Sequence, residues 1–412
     1  MTPKKLLIIG FVWPEPKSSA AGSRMMQLIS IFQVQNYQIT FASACAKTEN
    51  AFNLGAIGIE QVTIELNNSN FDEFVKKLNP DVIIFDRFMI EEQFGWRVLE
   101  QCPNALRILD TEDLHCLRKG REEALKKGVL FDKNYLFNDT AKREIASIYR
   151  CDLTLVISEE EVGILKSQFK VNSHLLYYLP FLNEAVAIET KRNLPKFNER
   201  EHFITIGNFL HAPNYDAVLF LKEHIWPLIR KKLPKVEVHI YGAYASDKVL
   251  KLNNKKEGFI IKGFANDVET VMRHAKVCLA PLRFGAGLKG KLIDAMLNGT
   301  PCMMTTIAAE GMFGNFEPNG FIADGNEEFA HLAIELYTGK IFWSGKQKNG
   351  FHIMNARFDK QLFVADFIFK LTSIQNNLEI HRLDNFTGQM LQHHTLQSTK
   401  YMSKWIEEKN LK

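Results

Sequence analysis

Short apolar runs typical of buried β-strands alternate along the chain with stretches in which apolar residues recur at helical spacing. A buried strand followed by an amphipathic helix is the repeating unit of a parallel sheet with crossover helices, so the pattern predicts α/β architecture. In the first part of the chain it predicts a helix over 22–34 and strands over 6–9, 39–42, 81–86, 105–110, 153–157 and 174–179.

The alternation stops at residues 183–200, which are polar, and then begins again. We therefore expect an N-terminal domain over 1–182, a linker over 183–200 and a C-terminal domain over 201–357. The second series predicts strands over 202–206, 236–241, 259–262, 277–280 and 301–305, and helices over 214–230, 267–275 and 288–298. The remainder, 358–412, is predicted as helices over 358–375 and 398–408 with a weakly periodic tail, crossing back to the N-terminal domain.

Length, charge and cysteine usage narrow the class of protein. A chain of 412 residues suits two domains, and a net charge of +4 argues against a nucleic-acid-coating protein. Six scattered cysteines argue against a disulfide scaffold or zinc site and favour the cytoplasm. The basic and apolar residues over 4–21 imitate a signal peptide, but a buried strand and turn explain them better. No apolar stretch approaches the roughly 18 residues needed to span a bilayer, so any membrane contact would be peripheral, at the inner face.

The densest chemical signal lies in residues 280–301. Gly285 and Gly287 allow close backbone approach between a strand and a helix that begins near residue 288, where free N–H groups face the crevice. The neighbouring cations are Arg283, Lys289 and Lys291. Backbone N–H groups with fixed positive charge suit a diphosphate. The alternative is an ordinary turn with steric glycines and solvated lysines.

Asp294 also has two interpretations. It can form an ion pair with Lys291 three residues earlier, or accept hydrogen bonds from the hydroxyls of a sugar or ribose.

A polar cluster follows the strand predicted over 105–110. Its members are Asp110, Glu112, Asp113, His115 and Arg118. Because the carboxyl ends of strands face the ligand crevice in open α/β sheets, we expect this cluster to face a ligand. The alternative for any single His or Asp here is a helix cap or a surface residue. Gly22 begins the segment 22–24, which follows the first predicted strand.

Residues 118–150 combine nine Lys or Arg with five Asp or Glu and interleaved large apolar side chains. This composition suits either a membrane-surface or lipid-acceptor face, or a solvated helix packed on its own domain.

Four segments together are recognisable. They are 206–217, 263–268, 281–295 and 305–311, all within residues 203–312. This region resembles the donor-binding domain of GT-B glycosyltransferases of family 4, which are retaining enzymes that use nucleotide-sugars. The resemblance implies two doubly wound, Rossmann-like domains facing a cleft, and transfer of a sugar to a glycan or lipid-linked acceptor in cell-surface polysaccharide or glycolipid synthesis.

The family's glutamate-x7-glutamate motif fits this chain only in part. Its second glutamate falls on Asp294 and its first on Ala286, which cannot accept a hydrogen bond through its side chain. We therefore expect Glu310 to supply a compensating contact with the donor sugar. The resemblance makes Asp294 a catalytic candidate together with Glu112, Asp113 and His115 of the polar cluster, which would orient the acceptor hydroxyl or steady the leaving phosphate. It also implies that Gly22 lies in a glycine turn over which a phosphate or acceptor passes.

The remaining donor contacts follow from the same resemblance. The family's Arg and Lys after the first strand of this domain are absent, because the loop here runs from Asn208 to Asn214. The cations at 283, 289 and 291 take over the diphosphate, and the side chains of Asn208, His211 and Asn214 line the same space. Asp267 and Val268 receive the nucleotide base, although either Asn266 or Asp267 also suits a helix N-cap.

No Asp-x-Asp metal motif occurs, so we expect neither metal nor cofactor, with fixed cations in the metal's place. The expected partners are a nucleotide-sugar donor and a glycan or lipid-linked acceptor, without nucleic acid. Two other functions stay open: a nucleotide-sugar epimerase on the same fold, and a non-catalytic sugar-nucleotide-binding subunit.

Overall fold

In the computed structural model, which describes residues 3–410 except the side chains of 394–396, the strands form two separate parallel sheets. The seven-stranded sheet has the order β3-β2-β1-β4-β5-β6-β7 and the six-stranded sheet the order β10-β9-β8-β11-β12-β13. We call the parts built on these sheets the N-terminal and the C-terminal domain.

The strands of the N-terminal domain are β1 (Lys5–Gly10), β2 (Gln38–Ser43), β3 (Glu60–Thr63), β4 (Val82–Asp86), β5 (Leu106–Asp110), β6 (Leu153–Val156) and β7 (Leu176–Tyr178). Its helices are α1 (Ala20–Val34), α2 (Asn70–Leu78), α3 (Phe88–Gln101), α4 (His115–Lys127), α5 (Lys133–Leu136), α6 (Asp139–Arg150) and α7 (Glu159–Ser167). The short helix α8 (Ile188–Asn193) lies within the predicted linker.

The strands of the C-terminal domain are β8 (Glu201–Ile206), β9 (Val238–Tyr241), β10 (Phe259–Gly263), β11 (Ala275–Ala280), β12 (Cys302–Met304) and β13 (Gly320–Ile322). The helices after α8 are α9 (Ala212–Phe220), α10 (Trp226–Lys232), α11 (Asp247–Leu250), α12 (Val268–His274), α13 (Gly290–Leu297), α14 (Thr306–Ala309), α15 (Asn326–Thr338), α16 (Lys340–Arg357), α17 (Val364–Asn376), α18 (Leu378–Leu383) and α19 (Phe386–Asn410).

Each sheet is buried on both faces, which explains why its strands are continuous apolar runs. In β1, Leu7 and Ile9 join one apolar cluster while Leu6 and Ile8 join another on the opposite face. The strands β8, β11 and β12 divide their side chains in the same way. The predicted α/β fold with two doubly wound sheets is therefore confirmed.

Several predicted elements differ from the structure. The helix predicted over 214–230 begins at Ala212 and is divided by a π-helical turn, Leu221–Ile225, just before Pro227, which has no N–H to donate. The strands β3 and β13 and the helices α15 and α16 were not predicted. The weakly periodic tail is the 25-residue helix α19, which packs against α3 and α6 of the N-terminal domain.

Candidate active site

The carboxyl ends of the two sheets bring the predicted acceptor-side cluster against the glycine turn. The acceptor-side loop, 110–118, follows β5, and the glycine loop, 284–289, leads from β11 to α13. Gly287 has a φ of 62°, and a Cβ added there would lie 2.9 Å from the Cβ of Asp113. Only glycine fits both the backbone angle and this approach, so the two loops touch at Gly287.

The two lysines of the glycine segment are buried, which excludes the alternative of solvated side chains. Lys289 is 7% exposed and Lys291 is 9% exposed. The Nζ of Lys289 donates to the carbonyl oxygens of Ala286 and Gly287 at 3.1 and 2.6 Å, and Nζ of Lys291 donates to Oδ1 of Asn214 at 2.9 Å. Burial lowers the pKa of each lysine to about 8. Two desolvated cations thus lie at the start of α13.

Arg283 is held apart from these lysines by its own partners. Its guanidinium pairs with the carboxylate of Asp216 on α9 and lies 4.8 Å from the ring centroid of Phe220. The predicted cluster of three cations is therefore a buried lysine pair and a separately paired arginine.

The loop after β8 forms the wall next to Lys291. Nδ2 of Asn214 donates to the carbonyl oxygen of Asn208 at 3.0 Å, and a Cβ at Gly207 would lie 2.6 Å from Asn214. His211 occupies the N-cap position of α9. Loss of solvation in the cleft, together with neighbouring cations such as Lys291, lowers its pKa to about 4, so its imidazole is neutral at pH 7.

Among the described residues no ion pair joins Asp294 to Lys291, whose Nζ donates to Oδ1 of Asn214. Burial, and to a smaller extent Glu269 of α12, raises the pKa of Asp294 to about 7. The carboxyl group is thus about half protonated near pH 7.

The N-cap interpretation of Asp267 is confirmed. Its carboxylate accepts from the backbone N–H of Thr270 at 3.1 Å and also from the Thr270 hydroxyl, and α12 begins at the next residue, Val268. Whether this loop also receives a base stays a prediction.

The acceptor-side cluster contains carboxyl groups in different states. Burial raises the pKa of Glu112 to about 8, helped by Asp110 and Asp86, and its φ of 62° is a strained value for a side chain with Cβ. Although burial acts in the opposite direction, Arg118 at 2.7 Å and His115 hold the pKa of Asp113 below its ordinary value. Glu112 can therefore carry a proton near neutral pH, while Asp113 stays charged.

His115 and Asp110 are held in place by contacts within the N-terminal domain. Nδ1 of His115 lies 3.1 Å from the carbonyl oxygen of Asp113, and its backbone N–H donates to Glu144. Asp110 is fully buried and pairs with Arg24 at 2.9 Å. It supports the site and is not open to a ligand.

Gly22 does not lie in a glycine turn. It is in the first turn of α1, where its N–H donates to the Ser19 hydroxyl, and a Cβ there would lie 2.4 Å from the backbone of Glu15. Helix packing is what requires glycine. A Cβ added at Gly290 would nevertheless lie 2.6 Å from the Cβ of Ala20, so this segment borders the start of α13.

Position 286, where the family motif has a glutamate, points into an apolar core. Ala286 is 6% exposed and packs with the hydrophobic cluster of the N-terminal domain that includes Leu114 and Leu117. A carboxylate here would be buried without a partner, which explains the alanine.

Two functional candidates escaped the sequence analysis. Oε1 of Glu161, on α7, accepts from the backbone N–H groups of Leu114 and Gly287 at 3.0 and 2.7 Å. Arg121, on α4, pairs with Glu310 at 2.6 Å and donates to the carbonyl oxygen of Gly285 at 2.8 Å. The predicted sugar contact, Glu310, is thus engaged by the N-terminal domain.

Several basic side chains of residues 118–150 form ion pairs within the protein. Arg118, Arg121 and Arg150 pair with carboxylates of the N- or C-terminal domain. Lysines such as Lys126 and Lys142 stay exposed, and so does an apolar tip of four side chains: Val129, Leu130, Phe131 and Phe137. Leu130 is 92% exposed.

Across residues 3–410, no helix combines the length and the apolar character needed to cross a membrane. Within the same range, no group of three or more His, Cys, Asp or Glu side chains is arranged to hold a metal ion.

Comparison with known families finds a match in the C-terminal domain. Residues 200–339 match the model described as glycosyl transferases group 1, so this part of the chain is similar to that family. No curated protein sequence matches the chain.

Solved structures match over most of the chain. Anabaena HepE in complex with UDP and glucose has a TM-score of 0.65 at 12% identity, over 90% of this chain and 100% of its own. The pneumococcal O-GlcNAc transferase GtfA in complex with UDP and GlcNAc has a TM-score of 0.65 at 13% identity, over 91% and 99%.

A point mutant of Staphylococcus aureus TarM, in complex with Fondaparinux, alpha-GlcNAc-glycerol and UDP, has a TM-score of 0.56 at 16% identity. That match covers 74% of this chain, which spans only 58% of the length of the TarM chain. The structural likenesses confirm the GT-B fold, and with the domain match they confirm the resemblance to GT-B glycosyltransferases. Membership of family 4 stays a prediction.

Proposed function

We propose that the protein is a glycosyltransferase that moves a sugar from a nucleoside diphosphate sugar to a glycan or lipid-linked acceptor, with retention of configuration. The observation that carries the proposal is the contact between the acceptor-side loop and the glycine loop, next to two buried lysines at the start of a helix. One side of this arrangement suits a diphosphate and the other suits an acceptor hydroxyl.

On the donor side, the leaving diphosphate gains negative charge as the bond to the sugar breaks. Lys289, Lys291 and the N-terminus of α13 lie where they can stabilise that charge, and their burial strengthens the interaction relative to water. The fixed lysines supply charge that a divalent metal ion supplies in other transferases. We therefore propose transfer without a metal, and undiminished activity in EDTA tests this.

The nature of the base rests on similarity alone. The TarM, HepE and GtfA structures named above each contain UDP, which makes a UDP-sugar our first candidate donor. In our proposal the base lies at the loop before α12, next to Asp267 and Val268.

On the acceptor side, Glu112 and His115 are candidates for orienting the attacking hydroxyl. A carboxyl group with a pKa of about 8 can exchange a proton near neutral pH, which suits Glu112 to that task. Asp113 is held charged by Arg118 and suits the positioning of neighbouring groups instead.

The setting we propose is cell-surface polysaccharide or glycolipid synthesis in the cytoplasm, at the inner face of the membrane. The apolar tip of the N-terminal domain supports peripheral contact with lipid, because Leu130 is 92% exposed and the other three side chains of the tip are 36–49% exposed. A lipid-linked acceptor would then reach the cleft from the domain that carries Glu112.

The first experiment is a thermal-shift screen against UDP-, GDP-, ADP- and dTDP-sugars. A ligand at about 100 times its Kd stabilises a protein by roughly 2.7 kcal/mol, so the correct donor should stand out. Lys291→Ala should remove the shift, whereas Lys248→Ala, a matched change on α11 of the same domain, should leave it intact.

The second experiment incubates the donor that passes this screen, labelled in its sugar, with acceptor fractions and follows the anomeric configuration of the product by NMR. Transfer with retention supports the proposal. A C2 epimer formed without acceptor identifies an epimerase, and donor binding without turnover identifies a non-catalytic subunit. Either result refutes the transferase proposal.

A further inference from the structure

Glu161 is a fully buried carboxyl group where the two domains meet. Its Oε1 accepts hydrogen bonds from Leu114 of the acceptor-side loop and from Gly287 of the glycine loop. One oxygen atom therefore joins the backbones of the two loops that carry the proposed reaction. Its Oε2 is buried and has no hydrogen-bond partner among the described residues. The hydrogen bonds that explain the burial of Glu161 are therefore the two that Oε1 accepts.

Arg121 holds the same loop from a second side. Its Nη1 donates to the carbonyl oxygen of Gly285 at 2.8 Å, and its guanidinium pairs with Glu310 through both terminal nitrogens. Glu161 and Arg121 both belong to the N-terminal domain, whereas Gly285, Gly287 and Glu310 belong to the C-terminal domain. Two side chains of the N-terminal domain thus hold one short loop of the C-terminal domain.

The glycine loop needs such support because its backbone is intrinsically adaptable. Gly285 has a φ of 155° and Gly287 a φ of 62°, and glycine visits these angles and many others at similar cost. Within the C-terminal domain, Nζ of Lys289 donates to the carbonyl oxygens of Ala286 and Gly287, and the backbone N–H of Lys289 donates to Sδ of Met312 at 3.4 Å. The Gly287 N–H and the Gly285 carbonyl are held from the other domain.

We propose that Glu161 and Arg121 are positioning residues that give the glycine loop its phosphate-binding conformation only when the domains are closed. This inference rests on the proposed function. In the open enzyme the donor binds through Lys291 and the loop after β8, but the groups that stabilise the leaving diphosphate are not yet aligned. Closure over the acceptor aligns them, which protects the donor from water until transfer can occur.

The kinetic consequence is a separation of kcat from KM. Removing the side chain of either Glu161 or Arg121 leaves the donor contacts of the C-terminal domain in place, so the KM for donor should change little. The loop would be misplaced in the transition state, and a misplacement of about 1 Å can cost about a hundredfold in rate. We therefore expect kcat for transfer to fall by ten- to a hundredfold, on the order of that cost.

The variants are Glu161→Ala and Arg121→Ala, each with a matched control. Glu160→Ala changes an exposed acid in the same turn of α7, and Lys126→Ala changes an exposed cation on the same helix as Arg121. Glu161→Gln keeps the accepting oxygen for both N–H groups and should restore most of the kcat. The control variants should match the parent protein in kcat and KM.

The proposal is overturned if Glu161→Ala and Arg121→Ala keep the parent kcat, or if kcat/KM falls through donor KM alone. It is also overturned if Glu161→Gln is as impaired as Glu161→Ala, because the hydrogen bonds would then not be what matters. Circular dichroism and the unfolding midpoint identify a variant that fails to fold. Should Glu161→Ala do so, Arg121→Ala, whose side chain is partly exposed, carries the kinetic test alone.

A measurement without turnover separates this inference from the proposed function. Small-angle X-ray scattering should give Glu161→Ala and Arg121→Ala a larger radius of gyration than the parent, with both controls unchanged. Equal radii of gyration in the parent, the two variants and the two controls refute the proposed role of Glu161 and Arg121, even if the enzyme transfers sugar. Larger radii in a protein that transfers no sugar support that role and refute the transferase.

Discussion

The affinity for a nucleoside diphosphate should fall as the pH rises through 8. Burial lowers the pKa of both Lys289 and Lys291 to about 8, far below the ordinary value for lysine. A bound diphosphate favours the charged ammonium form and raises the pKa again. Above pH 8 the free protein must therefore take up protons in order to bind, and this uptake opposes binding.

The size of the effect follows from the pKa. A lysine with a pKa of about 8 is about nine-tenths charged at pH 7 and about a quarter charged at pH 8.5. Each lysine should therefore weaken binding by about fourfold between these two values, and both together by about fifteenfold, or about 1.6 kcal/mol. The phosphate groups of the ligand, with their last pKa near 6, change their charge little in this range.

Other groups near the lysines titrate in the same range. Glu161 and Glu112 have a pKa raised to about 8, mainly by burial, and their added negative charge above pH 8 would also weaken binding. The charges of Glu310, Arg121 and Asp113 act on Lys289 but belong to paired groups. The variants Lys289→Arg and Lys291→Arg separate the contributions, because arginine stays charged throughout.

The assay is isothermal titration calorimetry with UDP at pH 7.0, 7.5, 8.0 and 8.5, in two buffers of different ionisation enthalpy to count protons. The parent should take up an increasing fraction of a proton above pH 7.5, and each arginine variant should lose about half of the pH dependence. An affinity independent of pH, or an unchanged slope in the double arginine variant, would refute the assignment of these lysines to the diphosphate.

Three further predictions concern the support of the site and its surroundings. Asp110→Asn leaves the buried Arg24 without its charge partner and should lower the free energy of unfolding by about 3 kcal/mol in urea titrations, whereas Asp139→Asn in the exposed pair with Lys142 should leave it nearly unchanged. Gly287→Ala forces a methyl group against Asp113 at an unfavourable φ and should reduce transfer by about a hundredfold, while Gly163→Ala, which has open space on α7, should keep full activity. Leu130→Ser at the apolar tip should weaken binding to anionic vesicles by about tenfold in co-sedimentation, and Leu250→Ser in the C-terminal domain should not; equal binding by both would exclude the tip as a membrane contact.

The sheets could be predicted because a strand buried on both faces leaves a continuous apolar run in the sequence. The two strands that were missed lie at sheet edges. β3 reads Glu-Gln-Val-Thr and is only partly buried, and β13 contributes three residues at the opposite edge of the second sheet. Such short or polar edges carry too little apolar signal to be distinguished from loops.

The helix predicted over 398–408 is only the C-terminal part of α19, and the N-terminal part of α19 was missed for a different reason. It is held to the N-terminal domain largely by polar contacts, such as Nδ2 of Asn385, just before the helix, to the carbonyl oxygen of Tyr149 and Nε2 of Gln392 to that of Arg150. Apolar residues such as Phe386 and Trp405 are exposed. Hydrophobic periodicity indicates which face of a helix is buried only when apolar contacts bury it.

The residues that hold the glycine loop could not be identified from the sequence motif. Three consecutive acids, 159–161, begin α7, and each suits the positive end of a helix, so the sequence alone does not distinguish them. The structure selects Glu161 because the N–H groups of Leu114 and Gly287 are buried there and need an acceptor. A glycine loop inserted between two domains buries its own backbone N–H groups. The motif therefore predicts that some side chain or carbonyl oxygen must accept hydrogen bonds from them. The residue that meets this demand comes from a distant part of the chain, and it is found by asking where each buried N–H of the motif donates.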